Sequence, residues 1–492
     1  MSSSDLNTSL LWQTLSKDVY THNRIEKGFP PDVISEVHES MMESQPLLMS
    51  ASQQTKKVKQ KEGASWLTAS FLLVNTALGV GILNFPAAYD QAGGIFYATL
   101  IQGIMVTLML STMLILAYCS DLNGDMTYHD VLLSMCGKKG QQLAAVSITL
   151  TLYCVCIATL IVIGDQIDNL FYTIFGPGFC ERFYLRRTFT ISVIAIIFIL
   201  PTCFCKRVDF LGYIGSIGIF AMLYPVFLTV YGYFKLSPKD VIIKTKPDDL
   251  SEMFAMFPVL GLGYQCQEVV VPVYSCMRER NLCNFVKSSV LSMAVLFVLY
   301  SITGCFGYLT FGSHVAHNVM KMYDAGDGFV MVGVIALIVK MIATYPILAL
   351  CGRDAAAGIY AELRGLKPSE FAATERTRRY VVAALWFTSS LLLAVLTESI
   401  GVVFKYLGSV ASANIFVYPG ICLFQMVMKQ DPDLQRRKSP YLVAYSIFVT
   451  GVGAFCVGVV LFEAILSRGP ETTVNLCHLP VNGTINANAA KL

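Results

Sequence analysis

Long apolar segments alternate with short polar ones from residue 64 to residue 466 of this 492-residue chain. Each apolar segment is close in length to the roughly 20 residues that an α-helix needs to cross a bilayer. The pattern therefore predicts an all-α membrane protein with about eleven transmembrane helices. We place them at approximately 64–88, 92–119, 141–165, 187–205, 209–234, 252–276, 286–311, 328–351, 379–398, 401–428 and 440–466.

Two of these predicted spans are interrupted in the same way. The first span contains NTALGVGILNFP over residues 75–86, and the sixth contains FPVLGLGYQCQEVVVPVY over residues 257–274. Both have a G-x-G pair followed by a proline. An offset of five spans reverses the direction of a helix, so the match predicts two inverted repeats and one extra helix. The predicted boundaries are 63–235 for the first repeat, 236–430 for the second and 431–466 for the eleventh span.

Interrupted helices of this kind are a sequence sign of the binding site in a secondary transporter. Unwound carbonyl groups coordinate a cation, and the N–H groups at a half-helix start bind an anionic group such as a carboxylate. The alternative is that each G-x-G pair serves only close helix packing. For one pair alone that reading is favoured. The matched pairs lie beside polar side chains, which favours a binding site; these side chains are Asn75, Thr76, Tyr264 and Gln265.

The composition agrees with a membrane protein. The chain is 55% hydrophobic and 14% charged, whereas soluble domains are about a quarter charged. A net charge of +3, without a basic patch interleaved with aromatic residues, argues against a nucleic acid partner. The 15 cysteines show no metal-ligand spacing. No Ser/His/Asp set, paired catalytic carboxylates or H-E-x-x-H motif is present, so we predict no enzymatic activity and no cofactor.

The two tails predict the orientation of the protein in the membrane, and they do not settle which cellular membrane contains it. Residues 1–62 are polar and are predicted to be a disordered cytoplasmic N-tail without a signal peptide. With that tail inside, loop Lys and Arg residues favour the inner side by roughly two to one. Residues 467–492 then form an outer or lumenal C-tail. Residues 43–48 have the spacing of an acidic dileucine signal for sorting adaptors, which favours a lysosomal or endosomal membrane over the plasma membrane.

Two features of the C-tail fit this orientation. The tail contains the sequon Asn482-Gly483-Thr484, which is glycosylated only outside the cytoplasm. Cys180 and Cys477 are the cysteines predicted on the oxidising side. They form either a disulfide or two separate thiols.

Six motifs resemble, in order, the sodium-coupled neutral amino acid transporter family, which belongs to the amino acid/auxin permeases. The resemblance covers residues 64–466 and is nearest to the subgroup with the lysosomal glutamine/asparagine exporter. The motifs are NTALGVGILNFPAAYDQAGG (75–94), CIATLIVIGDQ (156–166), GYQCQEVVVPVYSCM (263–277), FGYLTFG (306–312), TYPILALCGR (344–353) and IFVYPGICL (415–423).

This resemblance implies a leucine-transporter-like 5+5 inverted repeat plus one helix, and transport of small neutral amino acids with sodium as a co-substrate. It implies that Asn75 and Thr344 hold sodium through their side-chain oxygens. It places the substrate carboxylate at the N–H groups of 77–81 and the ammonium at the carbonyls of 261–264. The substrate-binding set it implies is Thr76, Ala77, Gly79, Val80, Gly81, Gly261, Gly263, Tyr264, Gln265 and Tyr153.

The chain also departs from the family. Lys340 lies one helical turn before Thr344, where its ammonium would replace sodium and couple transport to protons. The alternative is that it reaches the interface or pairs with Glu268 or Asp165. Relatives carry His at the position of Gln267, so a histidine-based pH response is expected to be missing. Glu268 is either a proton carrier or a water-exposed vestibule residue. We interpret Asp165 as a solvated residue at a helix end.

Two classes of function remain at this point. One is a secondary active transporter for neutral amino acids such as glutamine or asparagine, coupled to sodium or to protons. The other is an amino acid sensor that signals through its N-tail with little flux. Both require the same binding site, so the sequence does not separate them.

Overall fold

A computed structural model of the chain describes residues 63–176, 178–204, 209–236, 241–247, 253–364, 375–397, 400–429 and 432–466. The described residues from Ala64 onward form one compact unit. The predictions for the N-tail, the C-tail, the sequon, the sorting signal and Cys477 lie outside the described residues. Cys180 is disulfide-bonded, and its predicted pairing with Cys477 stays a prediction.

The described part of the chain is helical apart from turns and one isolated bridge between Ala64 and Met277. The prediction of an all-α membrane fold is confirmed. The α-helices are α1 (Trp66–Ala77), α2 (Phe85–Gln91), α3 (Ile95–Asn123), α4 (Tyr128–Phe175), α5 (Arg187–Ile194), α6 (Leu200–Cys203), α7 (Asp209–Leu236), α8 (Met256–Gly263), α9 (Gln267–Ser275), α10 (Leu282–Phe311), α11 (Gly328–Arg364), α12 (Glu375–Leu396), α13 (Ile400–Ser412), α14 (Tyr418–Lys429) and α15 (Pro432–Leu466).

Each of the eleven predicted spans contains helix, but fewer of them are long enough to cross a bilayer. Within the described residues, eight helices are long and apolar enough, and the bent pair α1–α2 makes nine. The fourth predicted span is a shorter apolar helix over Arg187–Cys203. The sixth is split into α8 and α9. The predicted count of eleven is therefore not confirmed.

Local sequence explains how the long helix α4 begins and bends. Thr127 caps its start, accepting from the N–H of Asp130, while the Asp130 carboxylate accepts from the N–H of Thr127. This reciprocal pair satisfies two N–H groups that a helix start leaves without partners. Gly137 has φ of +75°, a backbone conformation that favours glycine, and it kinks α4 before the apolar part begins. That apolar part packs along α11 and carries side chains toward both interrupted helices.

Candidate functional site

The first interruption separates α1 from α2 by a bend of 55°. Gly79 is fully extended, and a short 3₁₀ turn over Val80–Asn84 leads into α2. Pro86 occupies the second position of α2, where a missing N–H is harmless. The N–H of Gly79 has no backbone acceptor among the described residues. The predicted break in the first span is therefore present, at the predicted glycine.

The second interruption separates α8 from α9. Tyr264, Gln265 and Cys266 lie between the two helices, and Cys266 has a non-helical backbone with φ of −146° and ψ of 8°. The N–H of Cys266 donates to the Oε1 atom of Gln267 (3.1 Å). The N–H of Gln265, like that of Gly79, has no backbone acceptor among the described residues. Each break thus leaves an N–H group open.

The two breaks touch each other through glycine. A methyl group placed on Gly81 would lie 3.0 Å from the Cα atom of Gly263, and one on Gly263 would lie 2.8 Å from the Phe85 ring. Gly79 and Gly261 have no such neighbour, since the nearest atoms would be 3.9 and 3.6 Å away. Close packing therefore explains the second glycine of each pair. It does not explain the first.

A single tyrosine links the two breaks. The hydroxyl group of Tyr300 in α10 lies 2.9 Å from the carbonyl oxygen of Ala77 and 2.7 Å from that of Gly263. Its ring stacks on Phe85 at a centroid distance of 4.4 Å and meets Tyr264 edge-on at 4.9 Å. Tyr300 was not predicted from the sequence, because nothing in an apolar span indicates which aromatic residue faces a break.

Tyr264 is fully buried and belongs to a second chain of hydrogen bonds. Gln102 of α3 donates from Nε2 to the Tyr264 hydroxyl (2.7 Å) and accepts at Oε1 from the Tyr89 hydroxyl (2.8 Å). This chain fixes the orientation of Tyr264 at the second break. Gln102 was also missed, although a lone amide within an apolar span is a signal that could have identified it.

The remaining predicted residues are spread around the breaks. The amide of Asn75 is half-buried and hydrogen-bonds to no described residue. The hydroxyl of Thr76 bonds its own helix at Leu72 and that of Thr344 bonds its own helix at Lys340. No hydrogen bond joins Asn75 to Thr344. Tyr153 meets Trp386 edge-on at 5.0 Å, at the contact between α4 and α12.

Lys340 is 9% exposed and extends toward α7. A methyl group on Gly218 would lie 2.9 Å from its Nζ atom, so the absence of a side chain at Gly218 makes room for the ammonium. Lys340 therefore lies at the contact of α11 with α7.

A polar cluster surrounds the start of α9. The Oε1 atom of Glu268 accepts from Gln265 (2.5 Å) and from Asn414 (3.2 Å). Asn414 also accepts at Oδ1 from Ser147 (2.6 Å) and lies 3.3 Å from the hydroxyl of Thr151. Asn414 belongs to a π-helical segment over Ala413–Val417, between α13 and α14. Interruptions of this kind are frequent at functional sites.

The interpretation of Asp165 as a solvated helix-end residue is wrong. Its side chain is buried and lies at the centre of an ion-pair network. Arg187 contacts Asp165 (2.6 Å) and Asp168 (3.1 Å), and Lys321 contacts Asp165 (3.3 Å). Asn318 donates to the other carboxylate oxygen of Asp165 (2.9 Å). The partners come from segments distant in sequence, which is why residues near position 165 did not indicate burial.

The structure thus contains two interrupted helices that meet through their unwound segments inside a bundle of apolar helices. This arrangement defines a membrane transporter of the broken-helix type. Residues 62–462 match the family described as "Transmembrane amino acid transporter protein". The chain belongs to this family. Its activity is therefore transport of amino acids across a membrane rather than catalysis.

Relatives support the family resemblance over most of the chain. "Sodium-coupled neutral amino acid transporter 7" of Danio rerio is 33% identical over 409 residues, which cover 82% of this chain and 88% of that protein. The Homo sapiens protein of the same name is 32% identical over 407 residues, covering 82% and 88%. Human "Solute carrier family 38 member 8" is 30% identical, covering 80% and 92%. The predicted resemblance is confirmed.

A similar solved structure is the crystal structure of MhsT in complex with L-phenylalanine. It has 13% sequence identity, covers 82% of this chain and 99% of that chain, and has a TM-score of 0.46.

Proposed function

We propose that this chain is a secondary active transporter for small neutral amino acids, such as glutamine or asparagine, with sodium as the co-substrate. The observation that carries the proposal is the position of Tyr300, whose hydroxyl reaches one carbonyl at each break. The breaks thus meet at one place, where the open N–H groups of Gly79 and Gln265 supply donors for a carboxylate. The names of the relatives support neutral amino acids and sodium.

In this proposal the two inverted repeats have the predicted boundaries, 63–235 and 236–430. The substrate lies between residues 76–81 of the first repeat and residues 261–265 of the second. The carbonyl groups of the second break receive the ammonium group, and Tyr264, Gln265 and Tyr153 influence side-chain selectivity. Asn75 has an amide oxygen without a described partner, which suits a hard monovalent cation. Thr344 would join it through a rearrangement, because its hydroxyl is bonded within α11 in this structure.

Lys340 supports a second candidate, in which transport is coupled to protons instead of sodium. The ammonium is buried and lies one helical turn from Thr344. A buried lysine is easily converted between its charged and neutral forms by its surroundings. In this candidate its ammonium takes the place of sodium.

The test is uptake and counterflow of radiolabelled neutral amino acids in proteoliposomes of the purified full chain. We expect accumulation driven by an inward sodium gradient, and loss of accumulation when choline replaces sodium. Unchanged accumulation in choline that depends on pH would support the Lys340 candidate. Substrate binding without counterflow would show that the chain is a sensor, and would overturn the proposed function.

We further propose a lysosomal or endosomal location with a cytoplasmic N-terminus. The support is the dileucine spacing of residues 43–48 and the loop charge bias in the sequence. Replacing Leu47 and Leu48 with alanine is expected to move the protein to the cell surface. Fluorescence microscopy against a lysosomal marker measures this shift.

A further inference from the structure

A carboxyl group lies at the second break, where the predicted substrate site begins. Glu268 occupies the first turn of α9, three residues after Gln265 and four after Tyr264. Its side chain is half-buried. An acidic group inside a membrane protein is costly to keep charged unless it has a partner or a function.

The partners of Glu268 are neutral. The two hydrogen bonds to its carboxylate come from the side-chain amides of Gln265 and Asn414. Among the described residues, no nitrogen of a lysine, arginine or histidine forms an ion pair with it. The contrast is Asp165, which has Arg187 and Lys321 as partners. Burial without a compensating cation favours the neutral, protonated form of a carboxyl group.

Asp121 of α3 accepts from Tyr274 near the other end of α9 (3.0 Å), and the described elements packed against α9 bring no charged side chain to Glu268 itself. The titratable groups near Glu268 are the phenol of Tyr128 in α4 and the thiol of Cys266 beside it in the break. Neither α1, α3 nor the π-helical segment places a charged side chain against Glu268 in the described part of the chain. A proton on Glu268 would therefore respond to water access and to its two amide partners.

The hydrogen bonds of Glu268 connect three segments, which are α9 itself, the second break and the π-helical segment. Gln265 lies in the second break, and Asn414 lies in the π-helical segment. Asn414 is in turn held by Ser147 and by the Tyr128 hydroxyl, which donates to its backbone oxygen (3.0 Å), both from α4. A charged carboxylate accepts from both amides at once, whereas a protonated carboxyl has less acceptor capacity and adds a donor. Proton binding at Glu268 thus changes how these three segments are joined.

We propose that Glu268 binds and releases one proton in each transport cycle, so that amino acid movement is accompanied by proton movement. This inference rests on the proposed function and identifies an ion that moves with the substrate. The site is a carboxylate that takes up a proton to become a carboxylic acid and returns it to water on the other side of the membrane. It acts whether or not sodium is also bound.

The experiment uses proteoliposomes of the full chain with a pH-sensitive dye inside. For the wild-type protein we expect added amino acid to change the internal pH. For Glu268→Gln we expect this pH change to fall to the level of protein-free liposomes, while counterflow of radiolabelled amino acid persists. Glu279→Gln is the matched control, because Glu279 is exposed in the loop after α9, and it should behave as wild type.

A substrate-driven pH change that survives Glu268→Gln would overturn the proposal, and so would a wild-type protein that shows counterflow without one. Loss of the pH change in Lys340→Met but not in Glu268→Gln would assign the proton to Lys340 instead. If Glu268→Gln is inactive in counterflow, Glu268→Asp is the deciding variant. The pH at which transport by Glu268→Asp is half-maximal must then differ from the wild-type value, and an unchanged value would overturn the proposal. A wild-type protein without any counterflow would refute the proposed function itself.

Discussion

At Gly81 the backbone of the first break lies directly against the backbone of the second. A side chain there would meet the Cα atom of Gly263, which belongs to main chain and cannot rotate away. Gly79, two residues earlier, has an extended backbone that any residue adopts, and no atom closer than 3.9 Å to a new methyl group. The two glycines therefore constrain the site for different reasons.

We expect Gly81→Ala to abolish most transport and to lower stability by about 1–3 kcal/mol, because overpacking forces the two breaks apart. Gly79→Ala should leave stability close to wild type. The measurements are radiolabelled uptake and thermal unfolding in detergent, with Gly79→Ala as the control. Equal stability in the two variants would contradict the close approach of the breaks.

The G-x-G pairs and the nearby polar residues were predictable from the sequence, because local spacing alone indicates an interrupted helix. Tyr300, Gln102 and Asn414 were not, since each acts on a break more than 30 residues away in sequence or on a different helix. Which tyrosine of an apolar span faces a break depends on the rotation of that span. Helical periodicity is weak in spans that are apolar on every side.

At the scale of the elements, Asp165 joins three pieces of the chain that the sequence presents separately. It belongs to α4, Arg187 begins α5, and Asn318 and Lys321 lie in the connection between α10 and α11. The same connection reaches α4 again through Asn169, which donates to the carbonyl oxygens of Met320 and Tyr323 (both 3.1 Å). The connection is thus fixed to α4 by charge and by amide hydrogen bonds.

We expect Asp165→Asn to destabilise the protein by about 3–5 kcal/mol, because it leaves buried cations without their shared carboxylate. Asp327→Asn is the comparison. It removes the partner of Lys235, which is half-exposed, and a surface ion pair is weakened by solvent, so little change is expected. Thermal unfolding of both variants in detergent measures the difference. A melting temperature for Asp165→Asn equal to that of Asp327→Asn would show that the network contributes nothing.

For the molecule as a whole, the alternation of apolar and polar segments was sufficient to predict the fold class and the presence of helix within each of the eleven predicted segments. It did not predict which helices are long. The fourth span is a single apolar helix over Arg187–Cys203 that is shorter than the other spans, and the sixth is divided by a break into α8 and α9. Hydropathy reports how apolar a segment is, and it does not report where the backbone leaves the helical conformation.

The compact unit from Ala64 onward contains both breaks and every contact described at the site. We therefore expect deletion of residues 1–60 to leave counterflow in proteoliposomes at the wild-type rate. In cells, the same deletion should change the membrane in which the protein is found. A truncated protein that binds substrate but no longer exchanges it would contradict this expectation, and would assign the N-tail a part in the transport cycle.

The phenol of Tyr300 has one hydrogen atom and two neighbouring carbonyl oxygens. At any instant it can donate a full hydrogen bond to only one of them, since a hydroxyl is a single donor. The carbonyl of Ala77 and the carbonyl of Gly263 therefore share that donor in turn, and at any instant one of them has both of its lone pairs free of the tyrosine. In the proposed function, a cation that binds between the helices would meet a carbonyl oxygen that the hydroxyl is not using, and its charge would favour the hydrogen bond to the other carbonyl.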